Sequence, residues 1–224
     1  DHRDLHVRSR RQRQMCIRDR TLSIEKSAVL AKLGELESNG GGFNEASASA
    51  LKDKFKKGYK GILYGGFIAT AEGIKLIEYN ARFGDPEAMN VLSLLDTDII
   101  EVFEHIVNGT LKSLNIQFRK KATVCKYAVP EGYPEKPIKD KQLDISKIRN
   151  KDNLYLAAVE LNNNKLYTLG SRSIAIIGKG DSIWEAEEIA ENDISKIKGP
   201  VFHRKDIGTT KLIQKKINHM ISLK

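Results

Sequence analysis

Ile74–Leu95 reads IKLIEYNARFGDPEAMNVLSLL. It begins as a strand, with residues of one kind alternating with residues of the other through Arg82. It passes through Phe83–Pro86, where glycine, aspartate and proline cluster as they do in loops. It then becomes helical from about Glu87. Upstream, Tyr59–Thr70 is rich in β-branched and aromatic residues, and Ala71–Gly73 has turn composition. The whole therefore predicts a β-hairpin, Tyr59–Thr70 against Ile74–Arg82, followed by a loop and a helix. A second helix is expected from Asp96 or Thr97, either of which can cap it, to the stop at Asn108-Gly109.

Within the second strand, Glu78 and Asn80 are two residues apart and project from one face, which Arg82 shares. Ile77 and Tyr79 point the other way. A carboxylate and an amide carbonyl side by side suit a hard, oxygen-preferring cation such as Mg²⁺, which takes few protein ligands and completes its shell with water and phosphate. The planar fork of Arg82 suits phosphate or carboxylate. On pattern alone, a polar strand face is ordinarily a solvated one.

After Lys120 the pattern changes. Ala122–Pro134 (ATVCKYAVPEGYP) reads as a strand ending in turns, and Asn153–Gly170 (NLYLAAVELNNNKLYTLG) as a hairpin with an Asn-rich turn. Ser171–Gly180 (SRSIAIIGKG) is a further strand. The segment from Asp181 is an amphipathic helix capped by Asp181 or Ser182, with Ser182 and Glu185 spaced as a capping box. A short connector, His203–Gly208 (HRKDIG), precedes a helix from about Thr210. Strands interspersed with helices predict a small mixed α/β domain here.

The opening residues read differently. Asp1–Arg20 (DHRDLHVRSRRQRQMCIRDR) has neither helical nor strand periodicity. Back-translated, Arg10–Asp19 becomes CGT CGG CAG CGT CAG ATG TGT ATA AGA GAC. That is similar to the transposase adapter of short-read sequencing libraries, and Asp1–His6 is similar to the flow-cell end of the same adapter. Residues 1–20 are therefore expected to be a non-native, disordered, adapter-derived tail. The natural chain is expected to run on upstream of Thr21. Setting the tail aside removes seven arginines and three aspartates, a net +4 of the formal +9. The remaining +5 is ordinary, so the basic balance loses its force as a sign of nucleic-acid binding. Cys125 is then the one cysteine left, in an apolar strand. A buried thiol in a reducing, cytoplasmic setting is expected. No apolar run approaches membrane-spanning length.

Residues 21–50 carry weaker signals. Ile24–Glu37 is helical in character, Ser38–Asn44 (SNGGGFN) breaks it, and Glu45–Lys57 reads as another helix. The glycine run lacks the Lys-Ser/Thr of a phosphate-binding loop. Gly178-Lys179-Gly180 lacks the third glycine of a dinucleotide fingerprint and reads as a strand-to-helix turn. His105 and His203 have no ligand partner at helical or strand spacing. Trp184 is expected to pack its helix onto the sheet.

The strings GILYGGFIA, IKLIEYNARFGDPEAMNVLSLL, ATVCKYAVPEGYP, SRSIAIIGKGDSIWEAEEIA and HRKDIG, in this order, closely resemble the phosphoribosylamine–glycine ligase family of the ATP-grasp superfamily. The resemblance runs from about Tyr59 to the end. It implies an α/β (α+β) chain made of the C-terminal part of an ATP-grasp domain (21–120) and the ligase's C-terminal domain (121–224). It also implies an ATP-dependent reaction joining glycine to 5-phosphoribosylamine through a glycyl phosphate, in purine biosynthesis. By this resemblance Glu78 and Asn80 would hold Mg²⁺ (or Mn²⁺) against the ATP phosphates, and Arg82 would stabilise the transferring phosphoryl group. Gly84, Asp85 and Pro86 would contact substrate, Asp85 being placed for an ammonium group. The family's phosphoribosylamine-binding domain and much of its ATP clamp have no counterpart here, so the chain alone is expected to be inactive. Two rivals remain: another ATP-grasp carboxylate–amine ligase, and a basic nucleic-acid-binding module using residues 1–20 as its arm.

Overall fold

The computed structural model describes residues 52–54, 56, 59–70 and 73–222. The adapter-like tail, the helix expected over 24–37, the glycine-rich break and most of the helix expected over 45–57 lie outside the described residues, as do Ala71 and Glu72 of the hairpin turn. Residues 52–54 are helical. The chain divides into two compact units, one ending at Arg119 and including the chain from Lys216 onward, the other Lys120–Lys215. The architecture is mixed α/β with antiparallel sheets throughout.

In the first unit, β1 (Tyr64–Thr70) and β2 (Gly73–Asn80) form the antiparallel hairpin. Tyr64 pairs with Asn80, Gly65 with Tyr79 and Gly66 with Glu78, but Phe67 pairs with Leu76. Ile77 is thus the extra residue of a β-bulge, which bends the strand just before Glu78. Gly65 makes room on one face. A Cβ there would lie 2.6 Å from the Phe67 ring and 3.0 Å from Tyr79, two rings that meet edge to face at 6.3 Å. The strand ends at Asn80, two residues before the expected end at Arg82.

Two helices follow, α1 (Glu87–Leu92) and α2 (Ile99–Asn108). Asp98 caps α2 by accepting from Ile100 N–H at 2.8 Å. The two residues expected to do this are engaged elsewhere. Asp96 pairs with Arg119 at 2.8 Å, and Thr97 Oγ1 accepts from Gln117 N–H at 2.7 Å. Gly109 closes the helix in the left-handed conformation (φ 71°), where a glycine carries no Cβ penalty.

In the second unit, β3 (Ala122–Pro130), β5 (Leu154–Leu156), β8 (Ile174–Gly180) and β9 (Val201–Phe202) form a sheet in the order β5-β8-β3-β9. A second sheet, β4-β7-β6, contains β4 (Gln142–Leu143), β7 (Lys165–Thr168) and β6 (Val159–Asn162). The Asn153–Gly170 stretch is thus shared between two sheets rather than forming one hairpin. Leu154–Leu156 pairs with β8, and only β6 and β7 turn back on each other. Asn163 and Asn164 make that turn with φ of 47° and 59°, the doubly positive geometry that matches the twist of a tight hairpin.

Helix α3 (Ile183–Ile194) lies on this sheet. Ala186, Ala190 and Ile194 face Val124, Ala128, Ile174 and Ile176 in a dry core. Each of the large aliphatics there contributes about 1.5–3 kcal/mol by leaving water. Ser182 caps α3, accepting from Glu185 N–H at 3.2 Å, while the Glu185 carboxylate reaches back to Asp181 N–H at 2.6 Å. The reciprocal box therefore closes one residue earlier than its standard form. Cys125 is buried, as expected. Trp184 is not: it is 46% exposed, because the helix meets the sheet through alanines and isoleucine. Helix α4 (Thr210–Ser222) ends the described chain.

Candidate functional site

Glu78 and Asn80 stand on one face of β2, at its C-terminal end, and both are half-buried. The strand opposite gives that face its shape. Glu78 sits across from Gly66, which has no side chain to cover it, and Asn80 sits across from Tyr64. The bulge at Ile77 places this pair beyond the regular ladder. Arg82 is separated from them. It lies in a bend after the strand, exposed, with Nη1 donating to the Phe83 carbonyl at 2.7 Å. Its side chain therefore belongs to the loop and not to the strand face on which the alternation put it.

The loop is fastened from both sides. The Phe83 ring lies 6.4 Å from the ring of Phe103 on α2. Gly84 is buried, and its carbonyl accepts from Ala88 N–H at 2.9 Å. A side chain at Gly84 has no space: a Cβ would stand 2.6 Å from Glu87 Oε2 and 3.2 Å from the Tyr64 ring. Asp85 is exposed, and the Asp85–Pro86 peptide is cis. Pro86 opens α1 without a side-chain cap.

Three residues that sequence reasoning passed over complete the arrangement. Glu87 is 3% exposed and accepts from the Tyr64 hydroxyl at 3.0 Å. A carboxylate is rarely this buried without a donor, because desolvation penalises its charge. Asn90, one turn on along α1, is also 3% exposed; its amide nitrogen donates weakly to the Pro86 carbonyl at 3.5 Å, and its Oδ1 has no partner. Tyr64 thus stands opposite Asn80 in the ladder, against Gly84 in the loop, and on Glu87 in the helix. It ties the Glu78–Asn80 face to the RFGDP loop. The one sequence signal was the i, i+3 spacing of Glu87 and Asn90, which puts both on the same helix face.

The chemistry of the donors at the end of β2 fits a hard divalent cation. Among the described residues no group of three or more His, Cys, Asp or Glu side chains is arranged to hold a metal ion, so a cation held by Glu78 and Asn80 would take its other ligands from water or phosphate, as Mg²⁺ does. His105 serves the fold: its Nδ1 lies 3.1 Å from the Thr110 carbonyl and 2.9 Å from Thr110 Oγ1, at the end of α2. The Gly178-Lys179-Gly180 segment, expected as a strand-to-helix turn, is instead the end of β8, paired with Ala122–Val124 of β3. Gly178 faces α3 so closely that a Cβ would fall 1.8 Å from the Ala186 carbonyl oxygen, so it serves helix packing.

Comparison with known proteins places these features in a family. Residues 45–88 match the family model described as phosphoribosylglycinamide synthetase, ATP-grasp (A) domain, and residues 123–210 match the model for the C domain of the same enzyme. A phosphoribosylamine–glycine ligase of Methanosarcina barkeri is 52% identical over 178 residues, covering 80% of this chain and 41% of the relative. One from Methanocaldococcus jannaschii is 50% identical over 183 residues, with the same two shares. The crystal structure of phosphoribosylamine–glycine ligase from Thermotoga maritima superimposes with a TM-score of 0.58 at 26% identity, covering 69% of this chain and 38% of that one. The chain spans about two-fifths of the length of the curated relatives it matches. Two models of one enzyme match in order along a single chain, with relatives at half identity and a shared fold, so the chain belongs to the phosphoribosylglycinamide synthetase family.

Proposed function

We propose that this chain is the C-terminal part of an ATP-dependent ligase that joins glycine to 5-phosphoribosylamine. The observation that carries the reading is the Glu78–Asn80 pair beside a braced RFGDP loop, in a chain about half identical to proteins bearing that ligase's name. Glu78 and Asn80 would hold the divalent cation, Mg²⁺ (or Mn²⁺). Bound there, the cation neutralises charge on the ATP phosphates.

The reaction has two stages. Glycine's carboxylate oxygen attacks the terminal phosphorus of ATP, giving glycyl phosphate and ADP. The amine of phosphoribosylamine then attacks the acyl carbon; phosphate leaves, and the amine's surplus proton goes to solvent. Arg82 spends one donor on the Phe83 carbonyl and has further N–H groups for the phosphoryl oxygens, which carry most of the charge as the bond breaks. Asp85, exposed in the loop, receives the ammonium group of glycine. Gly84 and Pro86 shape the wall it sits on. Positioning supplies much of the rate in phosphoryl transfer, which is the use of a loop pinned by Phe83, Gly84 and Tyr64.

The test is product formation. The full-length protein encoded with this segment, given ATP, Mg²⁺, glycine and freshly made phosphoribosylamine, yields the amide product by mass spectrometry. Residues 21–224 alone do not. Failure of the full-length protein with glycine, but turnover with another carboxylate, moves the assignment to a different carboxylate–amine ligase.

A further inference from the structure

Glu87 is buried at the first position of α1, and the reaction proposed above gives it no part. Its two carboxylate oxygens have different neighbours. Oε1 accepts from the Tyr64 hydroxyl at 3.0 Å. Oε2 lies behind the loop, 2.6 Å from where a Cβ on Gly84 would stand. The Tyr64 ring closes the same corner, 3.2 Å from that point. Carboxylate and phenol together fill the volume behind Gly84, and the loop backbone rests on them.

Tyr64 is in turn fixed from the cation face. It pairs with Asn80 in the β1–β2 ladder, whose bonds belong to the backbone. From that anchor its side chain has two torsions and a rigid ring. A chain of fixed lengths therefore runs from Asn80 to Tyr64, from Tyr64 to Glu87, and from Glu87 to Gly84. The hold at the other end of the loop is softer. Asn90 Nδ2 reaches the Pro86 carbonyl at 3.5 Å, and Asn90 Oδ1 has no partner, which is the outer edge of hydrogen-bond range.

We propose that Tyr64 and Glu87 are positioning residues whose bond sets the Gly84–Pro86 loop at its working distance from the Glu78–Asn80 face, and so governs how the carboxylate substrate is seated without governing the cation. The proposal rests on the ligase reading, which assigns the substrate to that loop. Both residues act through the loop backbone. Loss of the Tyr64 hydroxyl leaves the ladder intact, and with it the places of Glu78 and Asn80. It leaves the Glu87 carboxylate buried without its donor. Such a group shifts toward water or another donor, and Gly84, packed directly on it, shifts with it.

Steady-state kinetics of the full-length protein, well below its melting temperature, test this. In Tyr64→Phe the KM for glycine is expected to rise at least about fivefold. The Mg²⁺ concentration for half-maximal rate, read at saturating glycine, stays within about twofold of the unsubstituted value. The double variant Tyr64→Phe/Glu87→Met separates positioning from stability. With both partners apolar, no buried carboxylate lacks a donor, so the melting temperature returns toward that of the unsubstituted protein. The positioning bond is still absent, so the glycine KM stays raised. A Tyr64→Phe protein with an unchanged glycine KM overturns the proposal. So does a double variant whose KM recovers together with its melting temperature, because the bond then acts through stability alone. The unsubstituted protein reports on the ligase reading separately. If it turns over a carboxylate other than glycine, the same comparison is made on the KM of that substrate; if it turns over none, the ligase reading and this proposal both fall.

Discussion

Gly178→Ala is the sharpest stability test of the C-terminal unit. Gly178 lies in β8 where α3 crosses, and its φ is one that alanine adopts freely, so the cost is purely steric. The added Cβ would stand 1.8 Å from the Ala186 carbonyl oxygen and 2.8 Å from the Ala186 carbonyl carbon and Ala190 nitrogen. Real Cβ atoms do not come within 3.0 Å of such atoms, so at least 1.2 Å (3.0 less 1.8) must open. All three obstacles are helix backbone, and no rotamer change relieves them. The helix must lift from the sheet, loosening Ala186, Ala190 and Ile194, which are 0, 0 and 2% exposed. Overpacking of this kind costs about 3 kcal/mol or slightly more, which lowers the melting temperature of a domain of about 100 residues by ~15 °C. Gly180→Ala is the internal control. There the nearest atoms to the added Cβ are Glu185 Cβ, Cγ and Oε2, each at 2.8 Å; the carboxylate can turn away at the cost of its bond to Asp181 N–H, about 1 kcal/mol, and at the Glu185 Cβ only about 0.2 Å (3.0 less 2.8) must open. Thermal denaturation followed by circular dichroism ranks the two. A Gly178→Ala chain melting within about 3 °C of the parent, or a Gly180→Ala chain that is the less stable of the two, refutes the close-packing account.

Three further outcomes follow from named contacts. Tyr64→Phe removes the donor to the buried Glu87 carboxylate and is expected to cost the first unit about 1–3 kcal/mol, measured by urea denaturation. Asp206, whose bond to Arg204 outweighs burial and holds its carboxyl below the ordinary value of 3.8, contributes stability that is complete above that value and is lost as pH falls through the lower folded one. Asp206→Asn should therefore flatten the acid limb of a stability-against-pH curve below about pH 4 and leave its slope near neutrality unchanged. Asn163→Ala, at φ 47°, is expected to lose about 1 kcal/mol of left-handed preference that Asn163→Gly retains, again by denaturation.

Local periodicity carried much of this fold. The β1–β2 alternation, the Asn-rich turn, the Gly109 stop and the Ser182 cap are short-range devices, each written within a few residues. What escaped depends on partners far along the chain. Asp98 became the cap of α2 because Gln117 and Arg119 had taken Thr97 and Asp96. Leu154–Leu156 left its apparent hairpin because β8 offered an edge. The bulge at Ile77 and the early end of β2 moved Arg82 off the face that strict alternation assigned it. Lys126 lies within an apolar strand, and its complete burial is explained by the two glutamates of α3 and the Lys205 carbonyl, partners more than 60 positions away. The same holds at the candidate site. Glu78 and Asn80 were legible as a pair because two-residue spacing is a property of one strand. The Tyr64–Glu87 bond that braces the loop spans 23 positions, and no local pattern announces it.

The most direct test of the central claim is the Mg²⁺ dependence of the proposed ligase reaction in the full-length protein carrying Asn80→Ala. Initial rates of glycine- and phosphoribosylamine-dependent ADP formation are measured across a Mg²⁺ titration, beside the unsubstituted protein. The account predicts that the Mg²⁺ concentration for half-maximal rate rises at least about tenfold, with the protein still folded. An Asn80→Ala enzyme with an unchanged Mg²⁺ requirement and normal turnover would contradict it.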